Sequence, residues 1–190
     1  MRQMCRALLV AIATVWIGCS SPSGPSNAGS TLNVMIKDSP YSDAKALLVT
    51  FSEVSAHVSG AGGFNVLPFS GGGTSRTCDL KKLTTAQDIL GTGTLAAGHY
   101  TQVRLVVTSA VLYFDNASTG AACAPTIAAP AGSSANVTVN SGDIKLNREF
   151  DVTSSGATTI LVDFDGDHSV HQEGTGSYSM SPVIAVVSVS

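Results

Sequence analysis

Residues 100–114 read YTQVRLVVTSAVLYF, the longest strand signal in the chain. Val103, Leu105, Val107 and Val111 share one parity, and Val106, Ala110, Leu112 and Phe114 the other. Strand side chains alternate between faces, so apolar residues on both parities mean one of two things: a central strand covered on both faces, or a bulge near Ser109. Upstream, Leu32, Val34 and Ile36 alternate with Asn33, Met35 and Lys37, a strand with one buried face that ends at Asp38-Ser39-Pro40. From Ala46 the apolar set is Leu47, Val49 and Phe51 and then Val54, Ala56 and Val58, a phase change that predicts a bulge between Phe51 and Glu53. Downstream, residues 137–139, 144–152, 158–164 and 177–189 bring the total to about eight strands separated by Gly, Asn and Ser turns. Leu80, Leu83, Ala86 and Leu90 at helical spacing predict one short helix within Asp79–Leu90, closed by Gly91-Thr92-Gly93. The fold class expected is all-β, an antiparallel β-sandwich.

The ends of the chain set its expected address. Met1 to Arg6 carries two basic residues and no acid, Ala7 to Ile17 is apolar, and Gly18-Cys19 follows. This is the layout of an exported leader, and as a helix the apolar run is only roughly 16 Å long, too short for a permanent span. The ending Trp16-Ile17-Gly18-Cys19 resembles the lipobox of bacterial lipoproteins, with Trp16 where Leu is usual. That resemblance implies a signal peptide over 1–18 and lipidation of Cys19, which would anchor the protein to a membrane. A Ser after the lipidated Cys, as at Ser20, implies an outer-membrane lipoprotein on the periplasmic face or the cell surface. Residues 19–30, rich in Ser, Gly and Pro, are expected to form a flexible tether, and 31–190 a single domain. About 160 residues suffice for one core burying roughly two-thirds of the unfolded surface.

Loss of residues 1–18 changes the arithmetic. The full chain of 190 residues has a net charge of -3; the mature chain keeps 8 basic and 13 acidic residues, a net charge of -5, and no Trp. Scattered basic residues in an acidic chain give no electrostatic footprint for nucleic acid, so no nucleic-acid partner is expected. The missing Trp weighs against a conventional sugar-stacking platform. Cys78 and Cys123 are the two remaining body cysteines, and in an exported chain they are expected to form a disulfide that clamps the Ala-, Ser-, Gly- and Pro-rich stretch 116–135.

Four stretches together, TLNVMIKDSP (31–40), GHYTQVRL (98–105), LNREF (146–150) and LVDFD (161–165), resemble the DUF4382 family of bacterial and archaeal domains of unknown function. The resemblance implies a secreted or lipid-anchored all-β domain and carries over no catalytic residue. The turn Leu95 to Tyr100 is similar to one in prealbumin-like and carbohydrate-binding-like sandwiches.

The densest polar cluster runs from Asp163 to Glu173. Asp163, Asp165 and Asp167 form a candidate oxygen-ligand set for a hard cation, for which Ca²⁺ is the natural choice. The EF-hand pattern fails at its Gly and Glu positions, which fall on His168 and Gly174, and a solvated acidic turn accounts for the same residues. No other cofactor is expected. His168 and His171 match no zinc motif, and no serine lies in a nucleophile elbow. Arg148 shares the parity of Ile144, Leu146, Phe150 and Val152, so a structural ion pair with Asp115 or Asp163 is expected; Arg104, on an otherwise apolar strand, poses the same question. The function expected is a non-catalytic binding or structural module of the cell envelope, with a glycan or an envelope protein as partner. The alternatives are a glycan- or polymer-binding module and a divalent-metal-dependent hydrolase.

Overall fold

A computed structural model describes residues 29–39 and 41–190. The leader 1–18, Cys19 and the expected tether up to residue 28 lie outside the described residues. Thirteen strands occur among the described residues. The first six are β1 (Gly29–Ser39), β2 (Ala46–Val58), β3 (Phe64–Val66), β4 (Arg76–Asp79), β5 (Asp88–Ala96) and β6 (Gly98–Tyr113). Then come β7 (Cys123–Ala124), β8 (Ser134–Val139), β9 (Asp143–Val152) and β10 (Ala157–Asp165), followed by β11 (Val170–Gly174), β12 (Ser177–Met180) and β13 (Ile184–Val189). The excess over eight comes mostly from two- to four-residue strands such as β3, β4, β7 and β12. β1 begins at Gly29, two residues before the expected domain boundary.

Two sheets pack face to face. One has the order β13-β10-β1-β5; the other runs β11-β12-β8-β6-β2-β4-β7, with β3 added to β2 and β9 to β6. The all-β sandwich holds, and its sheets are mixed, because β1 pairs parallel with β10 and β8 with β12. The core lies between them and includes Leu32, Val34, Ile36, Phe51, Tyr100, Leu105, Leu112, Ile160 and Phe164.

The phase changes are physical bulges. The β2–β6 register shifts twice around Phe51, leaving Thr108 and then Ser52 without an opposite residue, so that Leu47, Val49 and Phe51 and then Val54 and Ala56 all face the core. The same bulge switches β6 from Val103, Leu105 and Val107 to Ala110 and Leu112. The other face of this region is also partly covered: Ala46, Leu48 and Tyr113 form a small outer cluster with Val111 and Ile127. Both explanations of 100–114 therefore apply, one to each part of the strand.

The expected helix is present at the start of its stretch and corrected over the rest: within Asp79–Leu90, Leu80–Thr84 is one 3₁₀ segment whose N-terminus is capped by the Asp79 carboxylate, and β5 starts at Asp88. Leu90 imitated helical spacing because a bulge opposite Val34 and Met35 turns it into the core. Gly91 and Gly93 lie inside β5. A Cβ at Gly91 would sit 3.2 Å from Val54, and one at Gly93 would sit 3.0 Å from the Pro68 ring, so close approach of the other sheet calls for glycine there. That approach seals one side of the sandwich, where Thr92 N–H donates to Pro68 O at 3.0 Å and Ser70 N–H to Leu90 O at 3.1 Å.

Candidate functional site

β1 and β10 run side by side to a common end, where their outer faces present Lys37 and Asp163 as registered neighbours. Lys37 Nζ lies 2.7 Å from Asp163 Oδ2. Beside Lys37, the loop from Leu83 to Gln87 leaves a cleft of about 480 Å³ lined by Lys37, Leu83, Thr84, Thr85, Ala86 and Gln87. Its accessible groups are an ammonium, two hydroxyls and an amide. Such a set can both donate to and accept from a polar ligand.

Asp38, next along β1, faces inward and is 5% exposed. Its Oδ1 accepts the Gly166 N–H at 3.1 Å, while Oδ2 is buried without a hydrogen-bond partner. Gly166 fits there because a Cβ would meet Asp38 Oδ1 at 3.1 Å and Ser39 O at 3.2 Å. Burial pushes the Asp38 carboxyl up to about 7; the Gly166 N–H opposes the rise, Asp163 and Asp165 reinforce it, and Lys81 opposes it. In the unfolded chain the group ionises near its ordinary value of 3.8. Between those values the native state holds a proton the unfolded state has lost. Stability from this group is therefore full below about pH 4, falls as pH rises toward about 7, and is gone above it. The full shift sets an upper limit of about 4 kcal/mol on this effect. Asp38→Asn keeps the acceptor for Gly166 and removes the charge. Urea unfolding should show it more stable than wild type at about pH 8 and level with it at about pH 4; a gain equal at both pH values would contradict this account.

The three carboxylates of the candidate cation set are not brought into one ligand shell. Asp163 is taken by Lys37. Asp165 caps the single helical turn Gly166–Ser169, accepting His168 N–H at 3.0 Å and meeting His168 Nδ1 at 2.8 Å, and the His168 N–H holds its carboxyl below the ordinary range. Asp167 is exposed. Among the described residues no three His, Cys, Asp or Glu side chains are placed to hold a metal ion.

Arg148 is a second correction. It is exposed and makes no ion pair among the described residues, because β9 carries an extra residue where Arg148 and Glu149 together oppose Thr101. The bulge keeps Leu146 and Phe150 inward and turns Arg148 out. Its expected partners are occupied elsewhere: Asp115 accepts Ser133 N–H at 2.5 Å and Oγ–H at 2.7 Å, and Asp163 holds Lys37. Arg104 donates to Glu53 and lies 4.4 Å from the Phe64 ring centre. Burial raises the Glu53 carboxyl, but its bond and charge pairing with Arg104 leave it below its ordinary range.

Cys78 and Cys123 are bridged, and they face each other across the β4–β7 pair. Beside them lies a buried charged group with no sequence forecast. Arg76 is 5% exposed and donates to Ser70 O, to Asp88 Oδ1 at 3.2 Å and to Cys123 O at 3.2 Å. Asp88 Oδ2 accepts Cys123 N–H at 3.1 Å. Asp79, 1% exposed, accepts from Leu47 N–H and Lys81 N–H at 3.2 Å each and from Ser118 Oγ at 2.5 Å. Arg76 shares the parity of Cys78, and that two-residue spacing is the signal that could have marked it.

The family model described as a domain of unknown function, DUF4382, matches residues 29–182. No curated protein and no solved structure matches the chain.

Proposed function

The chain belongs to the DUF4382 family, and from that premise we propose that it is a lipid-anchored cell-envelope β-sandwich that binds its ligand without transforming it. The observation that carries this reading is how the polar groups are engaged. Asp163, Asp165, Asp79 and Asp88 hold strands, turns and the bridge region together, while the cleft beside Lys37 is left open to solvent. In this reading Cys19 carries the lipid, residues 20–28 are the spacer ahead of β1, and the sandwich presents the Leu83–Gln87 loop away from the membrane. The anchor is tested by growing cells that express the full chain with labelled fatty acid. Label should appear on the protein in the outer-membrane fraction, and Cys19→Ala should abolish it. An unlabelled wild-type protein would overturn the anchor.

A glycan- or polymer-binding role is the second reading, favoured by the hydroxyl, amide and ammonium lining of the same cleft. Without Trp in the body, recognition would rest on hydrogen bonds in place of stacking. A glycan array run with wild type and with Gln87→Ala tests it: binding lost in the variant supports this cleft, and an array with no binding removes the reading.

A further inference from the structure

We propose that β13 is a strand-addition edge through which two copies of this chain pair antiparallel, joining their four-stranded sheets into one. This goes beyond the binding reading and does not depend on it. The two sides of that sheet are treated differently. At the β5 side the edge is bonded to Pro68 and Ser70 of the β3–β4 connection, which closes it. At the β13 side no strand among the described residues pairs with the free flank. Val183 O accepts from Asp165 N–H, and Ser190 exchanges bonds with Thr159, so alternation aims the N–H and C=O groups of Ile184 and Val186 outward.

Open edges in soluble domains are normally guarded by charge or proline. The neighbouring edge strand β9 follows that rule, with Asp143, Lys145, Arg148, Glu149 and Asp151 all exposed. β13 does not: no charged residue occurs from Ser177 to Ser190, and Pro182 lies outside the strand. One row of the outer face adjoining it is apolar as well, one step along from the Lys37–Asp163 pair. Ile89, Met35 and Leu161 are registered across β5, β1 and β10, and Val187, 50% exposed at a bulge in β13, extends the row to the edge.

A partner must therefore offer an extended, uncharged strand with small or branched apolar residues. A second β13 offers this, and a two-fold axis would place neutral residues opposite neutral residues and continue the apolar row from one copy into the other. Pairing through one six-residue strand is a small interface, so the association is expected to be weak and reversible.

The test is sedimentation of the full exported chain, purified as the cell makes it in mild detergent, over a concentration series. Wild type should pass reversibly from monomer to dimer. Val187→Lys, which puts charge on the edge, should weaken the dimer roughly tenfold or more while keeping cooperative unfolding. Val66→Lys alters a still more exposed valine on β3, 63% accessible, and should leave the dimer intact. A wild-type chain that stays monomeric throughout overturns the proposal and leaves the edge to a strand of a different protein. A dimer indifferent to Val187→Lys, or broken by Val66→Lys, overturns it too.

Discussion

Replacing Arg76 by Ala should lower the unfolding free energy by about 3–5 kcal/mol, the range for breaking a buried charge pair from one side. The size follows from what the guanidinium leaves behind. Asp88 would keep its charge in a partly buried site, and the carbonyls of Ser70 and Cys123 would lose their donor. Arg76 Nε is itself buried without a partner, so the arginine already bears a desolvation cost that its other bonds must exceed. Arg76→Met separates shape from charge, because it fills much of the volume and donates nothing. If the bonds matter, Met should recover less than half of the loss. Arg148→Ala is the matched control and should change stability by about 0.5 kcal/mol or less, since that side chain is exposed. Urea unfolding of the three variants measures all of this, and an Arg76→Ala protein as stable as wild type would refute the network.

Where the sequence was legible, the signal was short-range. The phase change at Phe51, the long strand at 100–114 and the cysteine pair are each encoded within a few residues, or by elimination among few candidates. These two errors share one cause: a bulge within the strand concerned. Leu90 looked helical and Arg148 looked buried because each sits in a bulge, and a two-residue period cannot reveal where the extra residue falls. The candidate site was harder still. Asp163 was visible as an acid at a strand end, but its neutralisation by Lys37 depends on parallel pairing between segments more than 120 residues apart. Asp38 gave no signal beyond closing a strand, and its burial comes from the turn at Gly166, on the far side of the same crossover.

Removing the disulfide by a paired Cys78→Ala, Cys123→Ala change should cost about 4 kcal/mol in the chain-entropy model, given a closed segment 45 residues long. Alanine is the right replacement because both sulfurs are buried, with the two residues 0% and 3% exposed, and serine would add unpaired hydroxyls there. The loss should show as a lower urea midpoint, with the slope increased only as far as the unfolded chain expands. The segment would not simply fall away from the body. Ser118 Oγ–H still donates to Asp79, Asp79 N–H to Ala122 O at 2.7 Å, Lys82 Nζ to Gly120 O at 2.9 Å and Asn116 Nδ2 to Ala131 O at 2.9 Å. These bonds dock the loop at residues 116–122 and again at Ala131, so protease cleavage in the variant should concentrate in the exposed stretch 125–129 between them and stay slow in β4 and β8. Arg76 and the bridge share Cys123, so combining Arg76→Ala with the alanine pair should cost less than the two losses taken separately. Full additivity in that triple variant would mean that the guanidinium stabilises the fold independently of the strand end the bridge holds in place.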